Sequence, residues 1–282
     1  MERFTDAKSM REWSRAQRRG GARIAFVPTM GYLHEGHLSL VDEARQQADL
    51  VVASIYVNPT QFAPHEDFDV YPRDTQGDLT KLQARGCAAV FTPTDLYQGA
   101  PGTRTWIEPG PSANGLCGAS RPGFFRGVTT VVSKLFHIVE PDVAVFGKKD
   151  YQQWRVISAM VSDLDMAVEV VGMPIVREHD GLALSSRNVR LSSDARQRAL
   201  ALVQSLEFAA EQIASGERRS AWLKSAIQQR LSASGGDVDY IAVVDPDTLL
   251  PVEGEITQAI LIALAVTYDD VRLIDNRVFA LD

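Results

Sequence analysis

The chain has little cysteine, no long apolar run and no surplus of positive charge. Only Cys87 and Cys117 occur in its 282 residues. They form no CxxC pair, which argues against a thiolate metal site, and the length excludes a small disulfide scaffold. Both are read as the reduced thiols of a cytosolic protein. The longest apolar run, residues 259–266, is strand-sized. It falls far short of the roughly 18 residues of a membrane span. Residues 1–19 are charged and carry no apolar leader. Lys and Arg number 29 against 36 Asp and Glu, a net charge of −7. That balance speaks against a broad nucleic-acid-binding face, although a local cationic cluster can still serve a small anion. Internal repeats and low-complexity segments are lacking too. These absences predict a soluble, cytoplasmic protein with neither nucleic acid nor a membrane as partner.

What is present suits an ordinary core: 45% hydrophobic and 23% charged residues, enough for one large domain or two moderate ones. Residues 6–19 have helical composition, and Arg18, Arg19 and Arg23 read as its solvated end. The run 23–27 ends at Pro28 and reads as a buried strand. After a Gly turn, Leu38, Val41, Ala44 and Ala48 recur at helical spacing. Residues 49–56 then read as a second strand. Strand, helix, strand at this length is a βαβ unit, so the sheet is expected to be parallel. The alternation continues with helices over 75–85, 126–139 and 151–164 and strands over 88–91, 143–146 and 167–172. Residues 98–123, rich in Gly and Pro, read as a long loop. Past Met173-Pro174 come helices over 194–215 and 220–232 and strands over 238–244, 259–266 and 271–274. The fold expected is α/β: a Rossmann-like parallel-sheet domain over 1–175, then a smaller α+β domain over 176–282.

The strongest local feature is Pro28-Thr29-Met30-Gly31-Tyr32-Leu33-His34-Glu35-Gly36-His37, which follows the first strand and opens a helix. Parallel sheets bind ligands at the carboxyl ends of their strands, where helix N-termini point inward. Two histidines three apart share a helix face. Gly36 between them has no side chain to block a phosphate. Imidazole N–H groups there can donate to phosphate oxygens. A zinc pair of the HExxH kind needs a spacing of four and a third ligand, and neither is evident.

In this setting His34-Glu35-Gly36-His37 resembles the HxGH form of the HIGH element of the nucleotidyltransferase superfamily. The longer string over 28–41 is similar specifically to pantothenate synthetase, the pantoate–β-alanine ligase family. Three further stretches agree and keep the family's order: residues 56–62 (YVNPTQF), 147–153 (GKKDYQQ) and 184–188 (LSSRN). The resemblance implies an AMP-forming ligase that condenses pantoate with β-alanine through a pantoyl-adenylate, using ATP with Mg²⁺, and acting as a homodimer. It implies catalytic roles for His34, His37, Lys149 and Arg187. ATP would lie against Met30, Gly31, Tyr32, Leu33, Glu35, Gly36, Gly147, Lys148, Asp150, Val176, Leu184, Ser185 and Ser186 as well. Pantoate and β-alanine would meet Gln61, Gln153, Asn58 and Met30, with Phe62 adding to the apolar wall. Asp78 is the candidate magnesium contact, and Tyr71 resembles a residue near the nucleotide. The smaller domain would act as a lid, carrying the Ser185-Ser186-Arg187 loop.

The chain departs from the family pattern in places. Lys148 stands where Glu is frequent and reads as variable and solvent-facing. Phe124 stands in an RPGHF motif where His is usual, and His137 where Asn is common. His65 and His179 are given no role. Other readings of the HxGH element are a different nucleotidyltransferase, a remnant of a class I aminoacyl-tRNA synthetase, or a nucleotide sensor without turnover. The Gln61 and Gln153 stretches and the acidic balance favour the ligase.

Overall fold

The computed structural model describes residues 1–63, 66, 68–97 and 105–281. His65 and the first part of the expected 98–123 loop lie outside them. The elements run β1 (Glu2–Phe4), α1 (Ala7–Arg19), β2 (Ile24–Thr29), α2 (Glu35–Gln47), β3 (Leu50–Ile55), α3 (Thr75–Ala84) and β4 (Ala89–Phe91). They continue with α4 (Cys117–Ser120), α5 (Phe124–Val139), β5 (Val143–Gly147), α6 (Tyr151–Asp163) and β6 (Glu169–Met173). The chain ends in α7 (Ser193–Ala199), α8 (Ala201–Ala214), α9 (Ser220–Ala233), β7 (Asp237–Val244), β8 (Ile260–Tyr268) and β9 (Val271–Phe279). No helix among the described residues is long and apolar enough to cross a membrane.

The chain divides into two compact units. One comprises Met1–Gly110, Arg121–Lys148 and Gln153–Pro174; the other comprises Pro111–Ser120, Lys149–Gln152 and Ile175–Asp282. The first holds a sheet of order β1-β4-β3-β2-β5-β6 in which every pairing is parallel, the Rossmann-like arrangement expected. Its inner strands β2, β3, β4 and β5 are buried and nearly continuous apolar runs, while the edge strands β1 and β6 are more exposed. Ala25, Val27, Val51, Ala53, Val143 and Val145 pack with Leu40, Val41 and Ala44 of α2 and Leu82 of α3. Phe26, of opposite parity, meets Phe136 of α5 edge-on, with ring centroids 6.3 Å apart. Strand order reverses at β2, which has β3 on one side and β5 on the other. The crevice outside a switch point is where such sheets bind ligands. Thr29, Asn58 and Gly147 lie at or just past the ends of β2, β3 and β5.

The second unit carries an antiparallel sheet of order β7-β8-β9. Val243, Ile260, Ile262, Leu264 and Val266 pack there with Leu202 and Leu206 of α8 and Leu223 and Ile227 of α9. Four elements differ from the sequence reading, among them α4, a four-residue helix inside the stretch read as a loop. β1 was not anticipated: it is a three-residue edge strand paired with β4, too short for any periodicity. The helix expected over 194–215 is two helices meeting at Leu200. β9 runs five residues beyond Ile274, paired with β8 up to Phe279. Asp275 and Asn276 look like strand breakers in sequence, yet both are buried and hydrogen-bonded.

Candidate active site

In the first unit the turn after β2 is fixed before the histidines are reached. Thr29 Oγ1 donates to Ser54 O at 2.7 Å and accepts the Gly31 N–H at 3.1 Å. Gly31 has φ +86° and Tyr32 φ +52°, two left-handed residues in succession. A β-carbon on Gly31 would lie 2.9 Å from the Ile55 side chain and 3.0 Å from Asp78 Oδ2, so only glycine fits. Asp78, on the first turn of α3, is 1% exposed. Its Oδ2 accepts the Tyr32 N–H and its Oδ1 the Leu33 N–H, both at 2.7 Å. One turn later, Lys81 Nζ donates to Leu33 O at 2.7 Å.

His34 is the N-cap of α2. Its Nδ1 accepts the Gly36 N–H at 3.1 Å, and His37 Nδ1 accepts the His34 N–H at 3.4 Å. With Nδ1 accepting in both rings, Nε2 is left as the donor nitrogen of each. The ring centroids are 4.0 Å apart. The helix N-terminus therefore presents two adjacent Nε2–H donors together with its own dipole. Glu35 and Asp42 of α2 both pair with Arg85, tying this helix to the end of α3.

Gln61 and Asn58, both buried, form a second cluster. Asn58 Nδ2 donates to Gln61 Oε1 at 3.1 Å and to Gly127 O at 3.2 Å. Gln61 Nε2 points at Met30 Sδ, 3.0 Å away, which brings together three residues expected to meet pantoate. The Tyr97 hydroxyl donates to Asn58 Oδ1 at 2.7 Å and lies 3.0 Å from Thr60 Oγ1. Burial raises the Tyr97 pKa, against the lowering effect of these two bonds. Arg121 donates to Gln61 O at 3.1 Å and pairs with Glu66. Its guanidinium also sits 3.8 Å over the Phe124 ring, so the phenyl group in the RPGHF position serves as a cation platform. Phe62 packs edge-on against Phe68 and Tyr71. Lys148 is not solvent-facing as its sequence suggested. It is half-buried, with Nζ 4.6 Å over the Trp154 ring. Gly147 ends β5, and Gln153 is half-buried on α6.

In the second unit, Val176 and Leu184 face each other across a short hairpin, with the Leu184 N–H donating to Val176 O at 3.0 Å. Arg177 makes a bidentate pair with Asp275 at 2.7 and 2.9 Å. The hairpin leads straight into Ser185, whose Oγ accepts the Arg187 N–H at 3.3 Å. Asn188 Nδ2 donates to Glu178 Oε1 at 2.7 Å and to Ala183 O at 3.1 Å, folding the serine-arginine loop back on its own base. Arg196 bridges Glu178 and Asp180. Burial works to raise the pKa of both carboxyls, yet the bonds from Arg196, with Asn188 on Glu178 and the Leu182 N–H on Asp180, leave each below its ordinary value. Lys149 is half-buried, its Nζ 3.9 Å from Asp150 Oδ2. Its carbonyl accepts from Asn276 Nδ2 at 2.9 Å. Gln152 donates to Ser112 O and Gly115 O and accepts the Cys117 N–H. Asn276, Lys81, Tyr97 and Gly127 went unremarked in the sequence, and Gln152 entered only as part of the 147–153 stretch. The one available signal was the polar pair Asp275-Asn276 directly after an apolar strand run.

Three comparisons bear on this arrangement. The family model described as pantoate-beta-alanine ligase matches residues 2–278. The pantoate--beta-alanine ligase of Arabidopsis thaliana is 51% identical, covering 98% of this chain and 97% of its own. The pantothenate synthetase of Anaeromyxobacter dehalogenans is 53% identical over the same shares. Among solved structures, pantothenate synthetase from Thermus thermophilus superposes with a TM-score of 0.90 at 42% identity, covering 98% of this chain and 99% of its own. The Francisella tularensis pantoate-beta-alanine ligase, complexed with beta-gamma ATP and beta-alanine, gives 0.80 at 33%, covering 98% and 97%. Matches of this identity over nearly the whole length leave one assignment: the chain belongs to the pantoate–β-alanine ligase family.

Proposed function

We propose that this chain condenses pantoate with β-alanine to give pantothenate, activating the pantoate carboxylate with ATP as a pantoyl-adenylate and releasing AMP and pyrophosphate. Family membership supports the overall reaction. The observation that carries the chemistry is the pair of imidazoles at the N-terminus of α2, each accepting a backbone N–H through Nδ1, where the strand order reverses. A carboxylate is already ionised at neutral pH, so its attack on the α-phosphorus needs no general base. The site has instead to position the reactants and stabilise the charge that develops at phosphorus. In this reading His34 and His37 donate to phosphate oxygens, and Lys149 and Arg187 supply positive charge. Glycines 31, 36 and 147 let the nucleotide approach the backbone, and Ser185 and Ser186 add hydroxyl donors. Gln61, Asn58 and Gln153 bind the hydroxyls and carboxylate of pantoate, and Met30 covers its apolar carbon. The β-alanine amine, once neutral, attacks the activated carbonyl and expels AMP. The reading includes a division of labour, with 1–175 binding ATP and pantoate and 176–282 covering the adenylate.

Among the described residues no three His, Cys, Asp or Glu side chains gather as a resident metal cage would. Magnesium enters this reading with the ATP substrate, neutralising phosphate charge and keeping phosphate and water ligands. The sequence reading offered Asp78 as its candidate protein contact, since one carboxylate suffices for such an ion. A homodimer working in the cytoplasm completes the proposal, in keeping with two free, buried thiols.

The test is exchange of labelled pyrophosphate into ATP, with and without pantoate. Exchange that requires pantoate, followed by pantothenate formation on adding β-alanine, is the expected result. Exchange indifferent to pantoate would refute the assigned substrate.

A further inference from the structure

Asp78 has a different part in the geometry from the one its sequence suggested. Both carboxylate oxygens are engaged, each by one backbone amide at 2.7 Å, and the side chain is 1% exposed. Ionised acceptors of this kind make the stronger class of hydrogen bond. A carboxylate this deeply buried is costly unless its bonds compensate, and the amides it holds are those of one particular turn. That turn strings Gly31 and Tyr32 together at positive φ. A non-glycine residue persists there only where its surroundings over-determine it.

Lys81 completes the grip. Three residues along α3, on the same face as Asp78, it donates to Leu33 O at 2.7 Å. The Leu33 backbone is thus held through its N–H by the carboxylate and through its C=O by the ammonium. The next residue is His34. Its ring is set by the Gly36 N–H, and its own N–H sets the ring of His37. Both imidazoles therefore take their orientation from a peptide fixed by α3. A magnesium contact would need a carboxylate oxygen open to a hydrated ion, whereas this side chain is 1% exposed and both its oxygens bind the turn itself.

We propose that Asp78, acting with Lys81, is the positioning residue that orients His34 and His37, and is not a ligand of the nucleotide's magnesium. The idea rests on the ligase reading above for its assay, though its geometry is independent of it. The experiment compares wild type with Asp78→Asn, Lys81→Met and the double variant. It measures pantoate-dependent pyrophosphate exchange over a range of magnesium in excess of ATP, with ring-nitrogen NMR of the histidines alongside. Asn keeps one acceptor oxygen but turns an N–H₂ against a backbone N–H. The expected result is a kcat lowered by about 10- to 100-fold in Asp78→Asn, the scale of a roughly 1 Å misplacement. The KM for pantoate should stay near the wild-type value, and magnesium should not rescue. Lys81→Met should fall in the same direction by less, and the double variant should lose less than the product of the two, as residues gripping one peptide do. The His34 and His37 ring signals should shift while those of His137 and His179 stay.

Recovery of wild-type kcat at high magnesium would overturn the proposal and make Asp78 a metal contact. Unchanged kcat with unmoved ring signals in Lys81→Met would overturn it too, even if Asp78→Asn failed to fold. If wild type showed no pantoate-dependent exchange, the ligase reading would fail. The ring signals would then still decide the positioning role.

Discussion

Gly127 lies inside α5, where replacement by alanine ordinarily stabilises a helix by about 1 kcal/mol. Here the opposite is expected. A β-carbon at that position would stand 2.3 Å from Thr60 O, 2.7 Å from the Thr60 carbonyl carbon and 3.0 Å from Gln61 N. Ordinary contact begins at 3.4 Å, so the Thr60–Gln61 peptide or the helix must retreat by about 1 Å. Neither is free to do so. The peptide donates its Gln61 N–H to Asn58 O, the following carbonyl accepts from Arg121, and α5 is held by its packing on the sheet. Overpacking of this kind costs about 1–3 kcal/mol, which exceeds the helical gain. The net expectation for Gly127→Ala is a loss of about 1 kcal/mol, or about 2–4 °C in Tm for a protein of this size. The functional loss should be larger. A shift of about 1 Å in a substrate-holding amide costs on the order of 100-fold, and Gln61 is proposed to hold pantoate. Pantoate titrations of the pyrophosphate-exchange rate, beside a thermal melt, measure both effects. A variant with raised Tm and an unchanged pantoate KM would refute the steric argument.

Other outcomes follow from the same geometry. His37→Ala should slow adenylate formation by about 100-fold or more with little change in urea midpoint; near-normal single-turnover rates would remove the ring from the reaction. Arg177→Met leaves Asp275, 2% exposed, without its bidentate partner. A stability loss of about 3–5 kcal/mol is expected from urea unfolding, and one below about 1 kcal/mol would show the pair to be dispensable. Glu178 and Asp180 titrate below their ordinary values in the folded chain. Their contribution should be complete above the unfolded carboxylate values near ~4 and lost as pH falls through the lower folded ones. Arg196→Gln should flatten that acid limb in melts taken across pH; an unaltered limb would assign it to other carboxylates.

The parallel sheet and the histidine turn were legible because each rests on local signals: apolar runs of strand length, a Gly turn and two histidines at helical spacing. What escaped was decided by distant partners. Asp275 reads as a strand end until Arg177, far back in the chain, is seen to neutralise it. Lys148 looks like a loop cation until Trp154 and the bare α-carbon of Gly172 provide a slot for its stem. The leucine at 200 gives no sign of the break between α7 and α8. Asp78 was singled out as a possible magnesium contact, but sequence offered a carboxylate without its partners, and the two amides it binds lie more than forty residues earlier.

The pairing of β8 with β9 sets more than a sheet. Asp275 lies opposite Leu264 and Asn276 opposite Ala263, and neighbours on a strand project to opposite faces. One face thus delivers an anion to the hairpin beneath the serine-arginine loop, and the other delivers an amide to the Lys149 carbonyl. A slip of a single residue would exchange them, setting an amide against a guanidinium and a carboxylate against a carbonyl. The ladder is in effect a vernier: correct alignment of two strands fixes, in one step, the seats of two cationic segments that lie almost forty residues apart in the chain.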